Sequence, residues 1–184
     1  LVDISDLVKN KVVALAAWVV LAAGLVAVVS AAEYPVGSGP DDWWITYPDQ
    51  SPASGSDVNY PDWVLDALQD KSVLIYAHLE CDYCVPQTEA IKEILDEYGD
   101  EIEFYEIPAD GSDERIAEAF EAYDPDGGTS NVPLTVIITL VPGEDGRAEV
   151  AWHSTEKVTG KDWIDERVED AINLHEENVG DWDA

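Results

Sequence analysis

Residues Ser72 to Leu79 read SVLIYAHL, an apolar, β-branched run without alternating polar positions. A strand of that kind is buried on both faces, so the sheet that holds it needs helices above and below. The neighbouring pattern supplies them. Asp62-Trp63-Val64-Leu65-Asp66-Ala67-Leu68 predicts a short amphipathic helix with Pro61 at its start. A longer helix is expected from about Cys81 to Tyr98, with Ile91, Ile94 and Leu95 on its inner face. Glu101 to Ile107 (EIEFYEI) alternates in part and predicts a second strand, and residues 112–123 a second long helix with Ser112 as its cap. Leu134 to Val141 is a third strand, which Pro142-Gly143-Glu144-Asp145-Gly146 turns back into a fourth at Arg147 to His153. The last helix, about Lys161 to His175, carries Trp163, Ile164, Val168, Ala171, Ile172 and His175 along one side. The order β-α-β-α-β-β-α demands a right-handed parallel crossover and then an antiparallel hairpin. The class is therefore α/β, with a central mixed four-stranded sheet and flanking helices.

Ahead of this pattern, Val12 to Ala32 (VVALAAWVVLAAGLVAVVSAA) is a run of 21 positions without a charge. As a helix it is about 31 Å long, the thickness of a bilayer's hydrocarbon core. In lipid the backbone must be bonded internally, so a lone span is a helix. The expected organisation is a cytoplasmic tail at 1–11 and a transmembrane helix at 12–32. An extracytoplasmic linker at 33–62, a domain at 63–178 and a C-terminal tail at 179–184 follow. Lys9 and Lys11 abut the span and favour a cytoplasmic N-terminus, which turns the domain outward at the cell membrane. A cleaved signal peptide is the competing reading, because Ser30-Ala31-Ala32 precedes Glu33 as a small-residue cleavage site. Residues 33–62 carry five of the ten prolines together with many Gly, Ser and Asp, the composition of a linker or loosely packed arm. Trp43 and Trp44 within it suit either the membrane interface or a seat on the domain.

Lys and Arg total 9 against 40 Asp and Glu. Residues 1–32 hold two of each sign, so the whole formal charge of −31 lies beyond the apolar run. Charge on that scale excludes nucleic acid as a partner, since phosphate binding needs the opposite sign. The acids are spread along the domain rather than gathered in a tail, which fits a surface adapted to high salinity better than a basic-partner or calcium-storing patch.

The chain has two cysteines, Cys81 and Cys84, and no third with which to form another disulfide. Closing so short a loop gains little unfolded-state entropy, so a structural staple is a poor explanation. The pair falls just after a buried strand and opens a helix. There a thiolate faces unbonded amides and the positive end of the helix dipole, while Glu80 and Asp82 oppose it electrostatically. The two-residue spacing lets Cys84 attack a mixed disulfide formed at the more exposed Cys81. His78 allows a metal reading, H-x-x-C-x-x-C, but zinc wants four ligands, and a core or edge histidine is the simpler one. Asp124-Pro125-Asp126-Gly127-Gly128 begins like a calcium loop yet has Thr135 where the twelfth-position glutamate belongs, so a turn is expected.

In VLIYAHLECDYC and NVPLTVI the sequence resembles the thioredoxin superfamily over about residues 63–178. The resemblance implies a thioredoxin-like fold, Cys81 as nucleophile and Cys84 as resolving cysteine. It also implies a cis-proline at Pro133 opposite the dithiol, and pairing of the Val132 backbone with an extended substrate. Tyr83 is similar to the residue that glutaredoxins and disulfide oxidants often place before the second cysteine. Together with the acidic surface, the overall resemblance is to a membrane-anchored thioredoxin-like or glutaredoxin-like protein of a halophilic archaeon. Two departures stand out. The pair between the cysteines is Asp82-Tyr83 rather than Gly-Pro, and the buried acid that thioredoxins keep six positions before the first cysteine is Ile75 here. Pro86, near the end of the first turn, either delays the helix or sits where amides are unpaired anyway.

The function implied is thiol–disulfide exchange on cysteine-containing exported or membrane proteins, without a cofactor. A membrane or soluble redox partner would recycle the dithiol, and the lipid bilayer would be the other contact. A dedicated electron carrier for one partner, or a non-catalytic subunit of a membrane assembly, are the rivals. The charge makes its own prediction. Like-charge repulsion is screened by salt, so the melting temperature should climb as monovalent salt rises from low to molar concentration. A flat melting curve series would remove the support for saline adaptation.

Overall fold

The computed structural model describes residues 34–183. The expected tail at 1–11 and transmembrane helix at 12–32, with the alternative cleavage site at its end, lie outside the described residues. Among those described, no helix is long and apolar enough to cross a membrane.

The elements are α1 (Asp62–Ala67), β1 (Ser72–His78), α2 (Cys84–Tyr98), β2 (Ile102–Pro108), α3 (Arg115–Tyr123), β3 (Leu134–Pro142), β4 (Ala148–Thr155) and α4 (Lys161–Asn178), followed by a 3-10 turn at Val179–Asp181. The sheet order is β2-β1-β3-β4. β1 runs parallel to β2 and antiparallel to β3, and β3 and β4 form the antiparallel hairpin. β1 and β3 occupy the centre and are buried along nearly their whole length, as an uninterrupted apolar run requires.

The two faces are covered separately. On one, Ile75, Ala77, Val136 and Ile138 pack with Val64 and Leu68 at α1 and Ala119, Ala122 and Tyr123 of α3. On the other, Leu74, Tyr76 and Ile137 pack under Ala90, Ile91 and Ile94 of α2 and Ile164, Val168 and Ala171 of α4. Burial of this kind stabilises by about 1.5–3 kcal/mol for each large side chain removed from water.

Two helix starts differ from the sequence expectation. α2 begins at Cys84 rather than Cys81, so Cys81 lies in the turn that feeds it. Pro86 then falls in the first helical turn, where no intrahelical N–H is needed. α3 begins at Arg115, and its amide bonds the Asp113 carboxylate at 3.0 Å. Ser112 does not cap the helix; its own amide donates to Asp110 at 2.9 Å.

The stretch 33–62, expected as a linker, is packed onto the domain over its described part. Trp44 and Trp152 exchange both backbone hydrogen bonds, at 2.9 and 3.0 Å, which adds one bridge to the outer edge of β4. Successive side chains of an extended segment point to opposite faces. Trp43 accordingly enters the cluster under α2 and α4, and Trp44 the cluster under α1 and α3, each only 1% exposed. The Trp43 indole N–H donates to Asp170 at 2.8 Å. Beside it Arg167 is buried between the rings of Tyr34 and Trp163, at 4.3 and 4.2 Å. Trp44 stacks on His153 at 4.2 Å, and His153 Nε2 donates to the Pro40 carbonyl at 2.8 Å. Burial pushes the His153 imidazole down to about 4, so the ring stays neutral and Nε2 keeps the hydrogen this bond uses.

The arm is thus part of the core. Trp43→Ala and Trp44→Ala should each cost about 3–5 kcal/mol of unfolding free energy in urea titrations. A loss under about 1 kcal/mol from both would contradict the buried placement.

Candidate active site

β1 ends at His78, and the five residues 79–83 carry the chain to the start of α2. This turn is closed by hydrogen bonds from the Cys81 amide to Leu79 O (2.9 Å) and from the Cys84 amide to Cys81 O (2.9 Å). The Cys84 amide also donates to Cys81 Sγ at 3.2 Å. The first amide of α2 is therefore shared between the Cys81 carbonyl and the Cys81 sulfur, and its approach to the sulfur is the arrangement by which a helix N-terminus favours negative charge. Both cysteines are free thiols.

The two sulfurs are not equivalent. Cys81 is partly exposed, whereas Cys84 is 1% exposed. Burial pushes the Cys84 thiol up from its ordinary value, and its hydrogen bond with Cys81 adds to the shift; the Leu79 amide directed at it works the other way. Around them lies an open depression of about 320 Å³, lined by His78, Leu79, Cys81, Cys84, Val85 and Thr88 with Glu80, Asp82 and Glu89. Leu79 and Val85 give the lining an apolar part, and Tyr83 in the same turn stands out to solvent at 77% exposure.

Below the dithiol, the Tyr76 hydroxyl donates to Cys84 O at 3.1 Å and meets Thr88 Oγ1 at 2.8 Å, and Thr88 also reaches Cys84 O at 3.0 Å. These bonds fix the first turn of α2 on β1. His78 stacks on Tyr76 at 4.6 Å with 12° between the rings, and its Nε2 lies 2.8 Å from Glu106 Oε1 on β2. Among the described residues no group of His, Cys, Asp and Glu is placed to hold a metal. The Asp124 loop is a turn in which one carboxylate oxygen accepts the amides of Asp126 and Gly127, at 2.9 and 2.7 Å.

The Val132–Pro133 peptide bond is cis and directly precedes β3. Ala77 pairs with Leu134, so continuing that register sets Pro133 opposite His78 and Val132 opposite Leu79, at the strand end that leads into the dithiol. Asn131 holds the approach to Val132 by bonding Glu156 twice, from its amide at 2.8 Å and its side chain at 2.9 Å. Gln87 is a residue that sequence reasoning missed. Fully buried, it donates to Thr135 and Thr159 at 2.9 and 3.2 Å and accepts from the Thr159 amide at 2.9 Å. It ties α2 to the start of β3 and to the entry of α4. A glutamine between Pro86 and Thr88 carries no pattern that would mark it, because its partners are 48 and 72 residues away.

Ile75, six positions before Cys81, is buried in the cluster under α1 and α3 and brings no titratable group to the dithiol. Glu80, beside Cys81, is exposed.

The strand order, the helices on both faces and the dithiol after the central parallel strand fit a thioredoxin-like α/β domain. No family model and no curated protein matches the sequence. Solved structures do align in part. One is thioredoxin-2 of the malaria parasite, a component of that organism's protein secretion machinery, at 12% identity over 51% of this chain and 77% of the other, with a TM-score of 0.37. The germline-specific thioredoxin Deadhead of Drosophila melanogaster gives 14% identity over 55% and 82%, TM-score 0.37. A chain from a structure of the thiol-resolving mechanism in yeast mitochondrial 1-Cys peroxiredoxin, via glutathione/thioredoxin systems, gives 14% identity over 61% and 92%, TM-score 0.40.

The inequality of the sulfurs is testable on the reduced native protein. Brief iodoacetamide treatment at neutral pH should label Cys81 and spare Cys84, with denaturation needed to bring Cys84 to equal labelling, as read by peptide mass spectrometry. Equal labelling in the native state would refute the buried placement of Cys84.

Proposed function

We propose that this domain exchanges disulfides with cysteine-containing exported or membrane proteins, with Cys81 as nucleophile and Cys84 as resolving cysteine. The observation that carries the reading is the asymmetry of the pair. One sulfur is open to a substrate and receives the first amide of α2, and the other is enclosed directly behind it. Attack by the Cys81 thiolate on a substrate disulfide forms a mixed disulfide and releases one substrate thiol. Cys84 then attacks Cys81 Sγ, closes the Cys81–Cys84 disulfide and releases the second. Tyr83, Val132 and Pro133 flank this route, where an extended substrate segment would lie. A membrane or soluble redox partner would return the dithiol to its starting state. Residues 12–32 would hold the domain at the outer side of the cell membrane, which sets exported and membrane proteins as the substrates in reach.

The roles predict an asymmetry of trapping. Cys84→Ala leaves attack intact and removes escape, so mixed disulfides with substrates should accumulate on non-reducing gels. Cys81→Ala should yield few. Equal trapping, or trapping mainly by Cys81→Ala, would reverse the assignment, and no adduct from either would favour a non-catalytic subunit. The potential of the pair gives direction: a value far above about −200 mV marks an oxidant, and one near or below about −270 mV a reductant.

A further inference from the structure

Resolution by Cys84 has a requirement that the dithiol itself does not meet. The thiol is buried and its pKa raised, so a nearby group must take its proton before the sulfur can attack. Ile75 offers none. The titratable groups that face the depression are His78 from the end of β1, Glu80 and Asp82 from the turn, Glu89 from α2, and the cysteines themselves. Tyr76 lies stacked beneath His78, and Glu106 reaches it from β2. Glu89 is engaged by Lys92 at 2.9 Å, and Glu80 and Asp82 are exposed.

His78 differs from these in being oriented. A carboxylate only accepts, so the 2.8 Å contact with Glu106 places the ring hydrogen on Nε2. The stack on Tyr76 fixes the ring plane. Nδ1 is then the nitrogen left to take a proton, and Leu79 O, 3.4 Å away, is placed to accept the hydrogen it gains. The histidine and both cysteines line one depression, roomy enough for several water molecules. Imidazole is the side chain whose proton exchange suits neutral pH.

We propose that His78, oriented by Glu106, accepts the Cys84 proton when the mixed disulfide is resolved; this rests on the exchange reading above. The Cys84 S–H bond breaks and the proton passes through the solvent of the depression to His78 Nδ1. The electron pair left on Cys84 Sγ forms the bond to Cys81 Sγ. The bond from Cys81 to the substrate sulfur breaks, and its pair leaves on that sulfur, which takes the proton back from the imidazolium. The dithiol loses two electrons, the substrate disulfide gains them, and His78 ends neutral.

Stopped-flow reaction of the reduced full chain with one equivalent of 5,5′-dithiobis(2-nitrobenzoate) separates the steps. The first thionitrobenzoate released reports attack by Cys81, and the second reports resolution by Cys84. In His78→Gln the second phase should slow on the order of a hundredfold near neutral pH, with the first phase essentially unchanged. Its pH dependence should also change, the rate rising only where the thiol itself ionises. Glu106→Gln, which keeps the ring but removes the carboxylate that orients it, should slow the second phase by a smaller factor. An unchanged second phase and pH profile in both variants would overturn the assignment of His78 while leaving the exchange reading intact. Equal slowing of both phases in His78→Gln would assign the histidine to structure and overturn the proposal as well. A wild-type protein with no second phase would instead overturn Cys84 as resolver, and the proposal with it.

Discussion

β1 and β3 expose almost nothing on either face, and the rest of the structure follows from covering them. Among the described residues four helices divide between the two faces, α2 and α4 on one, α1 and α3 on the other. The parallel β1-α2-β2 crossover brings the N-terminus of α2 to the end of β1. The dithiol sits in that turn, and so inherits its geometry from the demand for burial rather than from local preference. The antiparallel pairing of β1 with β3 delivers Val132 and Pro133 to the same end of the sheet.

Much of this is readable in the chain because it rests on local periodicity. SVLIYAHL, LTVIITLV and the amphipathic helices announce themselves through one-dimensional pattern, and the CxxC spacing is local too. The position of Pro133 beside the dithiol needs only the strand order. Other features depend on partners remote in sequence. Gln87 with Thr135 and Thr159, His78 with Glu106, and Arg167 between Tyr34 and Trp163 carry no local signature. The arm was hardest to read, since Pro, Gly, Ser and Asp dominate it and describe a linker. Two tryptophans and a handful of backbone bonds outweigh that composition once β4 is present to receive them.

The acidic surface and the site interact in a specific way. The charged side chains that line the depression are carboxylates beside His78, and Glu89 among them engages Lys92. A thiolate there leans on the α2 amide that points at Cys81 rather than on a cationic side chain. Because that amide is a fixed dipole at short range, salt screens it far less than it would screen a surface ion pair.

The bridge between Trp44 and Trp152 bears on which length changes the arm tolerates over evolution. Trp43 and Trp44 are neighbours in the chain but belong to different cores, and the bridge sets which of them faces which way. Side-chain direction in extended chain has a period of two. Replacing the order of the pair by inserting or deleting one residue at the bridge would present each core with the other's neighbour. Between Trp44 and α1 the chain is held again by Tyr47, Val58 and Tyr60 against the core, and the exposed tip at 52–57 is where length can change. Drift in the arm should therefore concentrate at that tip and spare the two residues that straddle the sheet edge.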